Sequence, residues 1–145
     1  MNNNNNNNNN NNDKPAITEY YPSELNKCGG ESKSIKCKQY WSNGRLNREN
    51  DKPAIIWYYK NGNVERESYY INGHRCRKND KPSIIYYYEN GNIERELYMD
   101  EHKYYREGNR PNKIKYSREG NIITEIWMSD DGYTEIKRNV IKLIN

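Results

Sequence analysis

The sequence predicts an all-β protein: an antiparallel β-meander of stacked hairpin repeats in a single-layer or lightly covered sheet. Three observations carry this. The stretch DKPAIIWYYKNGNVERESYYINGHRCRKN (51–79) returns at once as DKPSIIYYYENGNIERELYMDEHKYYREG (80–108). Pro53, Pro82 and Pro111 recur at a 29-residue step, and so do Gly62, Gly91 and Gly120. Helix signals are poor: Gly, Asn and β-branched residues interrupt the candidates, and the best charged run, 100–106, is short and contains two tyrosines. A fixed period of this size marks supersecondary units that must stack to bury their apolar faces.

The chain divides into residues 1–12, an asparagine tract expected to be disordered, and one domain at 13–145. Its units run over about 13–50, 51–79, 80–108 and 109–137, with a partial fifth at 138–145. The first unit opens with DKPAITEYY and carries a nine-residue surplus in the loop 22–34, read as a tolerated insertion. In the second unit, Ile55 to Tyr59 reads as a strand. Asn61-Gly62 reads as a hairpin turn with positive φ at both central positions, and Val64 to Tyr70 as the return strand. Asn72-Gly73 is a second hairpin turn. The Asn-Asp-Lys-Pro segment is a bend, because proline removes a ladder donor. A two-residue turn predicts pairs Tyr59–Val64, Trp57–Arg66 and Ile55–Ser68 on one face. It predicts Tyr58–Glu65 and Ile56–Glu67 on the other. The third unit repeats this as Tyr88–Ile93, Tyr86–Arg95, Ile84–Leu97, Tyr87–Glu94 and Ile85–Glu96. Arg66 and Arg95 are thereby placed for cation–π contact with Trp57 and Tyr86. In the fourth unit Lys113, Lys115 and Ser117 replace apolar or aromatic residues. Ile122, Ile126, Trp127 and Met128 enrich the return strand, as a terminal, capping repeat would.

Composition sets limits on function. Only 32% of residues are hydrophobic and Phe is absent, so 15 Tyr and three Trp supply much of the apolar area. Tyrosine buries a ring while its hydroxyl finds a polar partner. The net charge of +4 is spread among interspersed Lys, Arg and Glu, which reads as a mixed solvated surface. Cys28, Cys37 and Cys76 are odd in number and form no CxxC motif, so free thiols and a cytoplasmic location are expected. No apolar run is long enough to span a bilayer.

Candidate chemistry is sparse. His74 and His102 lie 28 apart, one short of the period, and no second ligand pair accompanies them, so no metal site is predicted. No Cys or Ser has a recognisable base. The pairs Glu65/Glu67 and Glu94/Glu96 recur as strand residues, which argues against an acid–base pair. Phosphate-loop spacings are absent. No catalytic residue and no cofactor are expected. Two aromatic columns remain: Tyr58, Tyr87 and Tyr116, and beside them Tyr69, Tyr98 and Trp127. They are the candidate partner-binding residues. The leading expectation is a non-catalytic protein-interaction module. The alternative is an anion binder, for nucleic acid or phospholipid headgroups, acting through Tyr and Arg on a sheet face. The apolar Val140–Ile144 segment is a candidate edge for a homo-oligomer.

The two NG-type turns alternating with aromatic strands resemble a lengthened MORN repeat. The strand ending Ser68-Tyr69-Tyr70 leads through an NG turn into a second strand. The segment 77–83, RKNDKPS, stands where related repeats carry an HREDGPA-like segment. The usual glycine-x-glycine is replaced by the DKP bend, so the likeness is to the variant form. It covers Asp13 to Asn145. Such repeats are similar to those of bacterial MORN-type antitoxin-like proteins. With the asparagine tract, they are also similar to those of repeat proteins from giant amoebal DNA viruses. The resemblance implies an antiparallel sheet that binds proteins or membranes without catalysis. For a viral protein it implies the host cytoplasm or the virion.

Overall fold

Runs of β-branched and aromatic residues separated by glycine or asparagine turns become strands, and no helix occurs among the described residues. The computed structural model describes residues 14–25 and 31–140. The asparagine tract, part of the 22–34 loop and residues 141–144 of the expected oligomer edge lie outside them. Nine strands form one antiparallel sheet in chain order. They are β1 (Ile17–Tyr20), β2 (Ile35–Gln39), β3 (Ile55–Tyr58), β4 (Val64–Ser68) and β5 (Ile84–Tyr87). Then follow β6 (Ile93–Leu97), β7 (Lys113–Tyr116), β8 (Ile122–Met128) and β9 (Glu135–Val140). The meander of hairpins is therefore as the sequence predicts.

The return strands are shorter than expected. The chain leaves the main sheet after Ser68, and Tyr70–Ile71 pairs instead with His74–Arg75 in a small side hairpin. Trp41–Ser42 with Arg45–Leu46, and Met99–Asp100 with Lys103–Tyr104, make the equivalent hairpins of the neighbouring units. Asn72-Gly73 has positive φ at both turn residues, 52° and 90°, and Asn43-Gly44 likewise, 50° and 73°. These are the primed turns that the Asn-Gly pair favours. The side hairpins stack on one another. Gly73 N–H donates to the Leu46 carbonyl and Glu101 N–H to that of Arg75, each at 2.8 Å. The Asn-Asp bends are built from consecutive left-handed residues, Asn50 and Asp51, then Asn79 and Asp80. Asn and Asp tolerate that conformation best among residues with a side chain.

The main hairpin turns differ from the expected two-residue form. Only Gly62 takes positive φ (89°), and Asn61 does not. Tyr59 N–H donates to Asn63 O at 2.9 Å and Gly62 N–H to Tyr59 O at 3.0 Å, which makes Lys60, Asn61 and Gly62 a three-residue loop. The extra loop residue is taken up by a bulge that leaves Glu65 unpaired, so Tyr58 faces Val64. Below the bulge the expected pairs Trp57–Arg66, Ile56–Glu67 and Ile55–Ser68 are present. The third unit behaves identically: Tyr87 faces Ile93, while Tyr86–Arg95, Ile85–Glu96 and Ile84–Leu97 match expectation. The predicted pairs Tyr59–Val64, Tyr58–Glu65, Tyr88–Ile93 and Tyr87–Glu94 are corrected by this bulge.

The fourth unit has no side hairpin among its described residues. β8 continues through Trp127 to Met128, turns at Gly132 (φ 77°), and β9 returns beside it from Glu135. The strand after the fourth unit thus begins before the expected boundary at 138. Buried side chains form a thin core. Ile56, Ile85 and Ile114 lie on one sheet face with Tyr40, Tyr69, Tyr98 and Trp127, and Cys37 and Ile84 on the other. Buried Ser83 and Asn112, one period apart, accept the backbone N–H of Met99 and Met128 respectively. They satisfy donors that the sheet would otherwise bury unpaired.

Candidate functional site

Two successive repeat boundaries carry the same aromatic–cation–carboxylate cluster. Arg77 stacks on the Tyr69 ring with its guanidinium carbon 3.6 Å from the centroid. Its Nε and Nη2 donate to the two carboxylate oxygens of Asp51 at 2.7 and 3.0 Å. Its Nη1 reaches the Pro82 carbonyl at 3.4 Å. Lys81 adds a second cation to Asp51 at 2.6 Å. One period on, Arg106 stacks on Tyr98 at 3.6 Å and donates to Asp80 at 2.9 and 3.0 Å, and Arg110 joins Asp80. In the first unit Arg48 stacks on Tyr40, again at 3.6 Å. Hydrogen bonds from Arg77 above all, with Lys81 behind it, hold the Asp51 carboxyl down at about 2. Arg106 lowers Asp80 in the same way. A bidentate guanidinium fork with an aromatic plate beneath it is among the stronger partly exposed ion pairs.

A second recurrent device uses glutamate. Glu67 accepts the hydroxyls of Tyr69 and Tyr87, both at 2.9 Å. Glu96 accepts those of Tyr98 at 3.3 Å and Tyr116 at 2.9 Å. Burial, then the neighbouring carboxylate, pushes the Tyr69 and Tyr87 hydroxyls above the ordinary phenol range and Tyr98 up to about 12. A third device ties the turns together. Tyr59 donates to the Tyr87 carbonyl at 2.7 Å and Tyr88 to that of Tyr116 at 2.8 Å.

The two predicted aromatic columns therefore share one face, as expected, but the hydroxyls of Tyr69, Tyr87, Tyr98 and Tyr116 point into the scaffold. Tyr69, Tyr98 and Trp127 are buried, and Tyr58, Tyr87 and Tyr116 are half-buried. The large apolar side chains that face solvent lie elsewhere, among them Trp41, Tyr105, Tyr133 and Ile136. On the opposite face the expected cation–π contacts are present. Arg66 lies 5.2 Å from Trp57 and 5.7 Å from Tyr86, and Arg95 lies 3.9 Å from Tyr86.

The other singled-out groups do not converge. His74 is exposed and bonds Glu101 at 2.8 Å, while Cys76 is half-buried in the same unit. Cys37 is fully buried, which pushes its thiol up and makes it a poor nucleophile. Glu65 and Glu94 are the bulge residues, so neither pairs directly across the hairpin. Among the described residues, no group of three or more His, Cys, Asp and Glu could hold a metal ion, and no helix is long and apolar enough to cross a membrane.

Sequence reasoning missed the Arg–Asp–Tyr cluster, although its signal was available. Arg48, Arg77 and Arg106 recur at the same 29-residue step as Tyr40, Tyr69 and Tyr98. Three surface grooves of about 410, 400 and 340 Å³ follow the clusters along the array. Adjacent grooves share walls: Arg77, Lys78 and Lys81 line the first and second, Tyr105 and Arg106 the second and third. No family model, curated protein or solved structure matches the chain.

Proposed function

We propose that the protein is a non-catalytic interaction module, built from lengthened MORN-type repeats, that presents a periodic surface to a protein partner. The observation that carries this reading is the use of polar side chains between repeats. Glu67 and Glu96 accept the hydroxyls of Tyr87 and Tyr116 from the following unit, and Asp51 and Asp80 pair with Lys81 and Arg110 of the following unit, so the groups with reactive potential are engaged with one another. Such a scaffold is rigid and regular, which suits recognition of an extended partner. The test is affinity capture from the native cell, with and without residues 1–12, followed by cross-link mapping. A partner cross-linked to the repeat surface supports the reading. Turnover in an unbiased hydrolase and transferase screen, or failure to retain any partner, counts against it.

A second reading has its own observation. One sheet face carries Trp57, Arg66, Tyr86, Arg95 and Lys115 in register across β3 to β7. Aromatic plates alternating with cations suit a single-stranded nucleic acid or anionic headgroups. Binding of that kind must weaken steeply with salt, and a flat salt response removes it. An edge-mediated homo-oligomer through Val140–Ile144 would show as a concentration-dependent mass in solution.

A further inference from the structure

The grooves are translations of one another by one repeat. Tyr69, Arg77 and Lys81 of the first correspond to Tyr98, Arg106 and Arg110 at the next boundary, and Tyr98 corresponds to Trp127 in the third. Each of the two complete clusters sets two cations against one carboxylate: Arg77 and Lys81 on Asp51, Arg106 and Arg110 on Asp80. Within each cluster the cations exceed the carboxylate by one, while Glu49 also lines the first groove and Asp100 and Glu107 the second. The inner members are largely covered, with Arg77 and Arg106 side chains 13% and 12% exposed. The outer members, Lys81 and Arg110, are 47% and 46% exposed. The surplus charge thus sits at the groove rim, at the same place in each repeat. Lys52 holds the equivalent position one repeat earlier and lines the first groove. Between these cations the walls are mixed: Tyr70 and Ile71 lie with Glu49 and Asn72 in the first groove, and Met99 and exposed Tyr105 with Asp100 and Glu107 in the second.

The spacing selects the ligand. Each repeat adds two strands to the sheet, so equivalent atoms advance by about 9.6 Å at a strand separation of about 4.8 Å. Three residues of a polyproline II chain, whose side-chain direction repeats every third residue, span about 9.3 Å, whereas a β-extended chain would turn every third side chain to the opposite side. We propose that the three grooves form one docking track for an acidic segment of a partner protein in a polyproline II conformation, with a carboxylate at every third residue meeting the rim cations. The side chains between them meet Tyr70 and Ile71 in the first groove and Met99 and Tyr105 in the second. This deepens the interaction-module reading and rests on it.

The experiment uses the full chain and two peptides of identical composition. One carries Glu at every third position among uncharged residues, and the other carries the same Glu residues contiguously. Fluorescence anisotropy at low salt is expected to favour the triplet peptide by about tenfold, the order that two partly exposed ion pairs supply. K81Q/R110Q is expected to abolish the preference, and the charge-keeping K81R/R110K to retain it. A K81Q/R110Q chain that melts with the wild type excludes unfolding as the cause. Equal binding of the two peptides, an unchanged preference in K81Q/R110Q, or an oligonucleotide that displaces the triplet peptide overturns the track. A partner cross-linked to another surface in that case leaves the interaction-module reading standing, so the two failures are distinguishable.

Discussion

Replacing Asp51 by Asn isolates the charge of one boundary cluster. Asp51 has a left-handed φ of 55°, which Asn accepts, so the bend itself should survive. What is lost is the ionic part of the fork to Arg77 and the pair with Lys81. The Asp51 carboxyl is held at about 2, against about 3.9 for a free aspartate. The full difference is worth about 2.5 kcal/mol, but the Asp51 side chain is 41% exposed and solvent screening reduces this to about 1 kcal/mol. For a domain of this size that is a fall of about 3–6 °C in Tm. The sign with pH follows from linkage. A carboxyl with a depressed folded-state pKa stabilises above its unfolded value and loses that contribution as pH falls through the folded one. The difference in Tm between wild type and Asp51→Asn should be full at neutral pH, shrink between about pH 4 and 2, and vanish below. Far-UV circular dichroism melts across that range measure it. A Tm difference that stays constant down to pH 2, or no difference at pH 7, would refute the electrostatic account of the cluster.

Three further substitutions test the turns and the tyrosine clamps. Gly91→Val should destabilise by about 1–3 kcal/mol through backbone strain alone, because φ is +89° and no heavy atom lies within 4 Å of an added Cβ. Gly132→Ala should cost more, about 2–4 kcal/mol, since its Cβ would meet Lys103 Cβ and the Tyr104 carbonyl at 2.6 Å as well as a φ of +77°. Chemical denaturation of both variants gives the ranking, and a milder Gly132→Ala would contradict the close approach of this turn to Lys103 and Tyr104 of the neighbouring side hairpin. Glu96→Gln should lower the Tyr98 titration midpoint from about 12 while leaving it above the ordinary value near 10, because burial is the larger cause. Raised phenol values also make the fold lose stability as pH climbs from about 10 to about 12. NMR of ring-labelled tyrosine reads the midpoint.

Periodicity made the architecture legible because every unit repeats the same local choices: β-branched runs, Asn-Gly turns and proline bends. The register below the turns was legible too, since Trp57–Arg66 and Ile56–Glu67 follow from alternation once a turn is placed. Two features were not. Asn-Gly serves two turn types, and nothing local distinguishes Asn61-Gly62, where only the glycine is left-handed, from Asn72-Gly73, where both residues are. The choice depends on the bulge at Glu65, a property of the whole hairpin. The fate of the tyrosines was hidden for a similar reason. Tyr87 and Tyr116 have the same spacing whether their hydroxyls face solvent or a carboxylate. Only the placement of Glu67 and Glu96 between the two aromatic columns turns them inward.

The reach of these clamps predicts how the array behaves when shortened. Tyr59 reaches the Tyr87 carbonyl, Glu67 the Tyr87 hydroxyl, Asn63 the Glu89 carbonyl and Arg77 the Pro82 carbonyl. None extends beyond the adjoining unit, so stability should be a sum over neighbouring units rather than a property of one indivisible core. Removing residues 80–108 joins Asn79 to Asn109 and sets β4 beside β7. Each partner then has a replacement one period on: Tyr116 for Tyr87, Arg118 for Glu89, Pro111 for Pro82 and Arg110 for Lys81. The shortened chain should keep its β-sheet circular dichroism and unfold cooperatively, with a smaller denaturant m-value because less surface is exposed on unfolding. A chain that fails to fold after this removal would show that the repeats depend on contacts reaching past their neighbours, contrary to every clamp traced above.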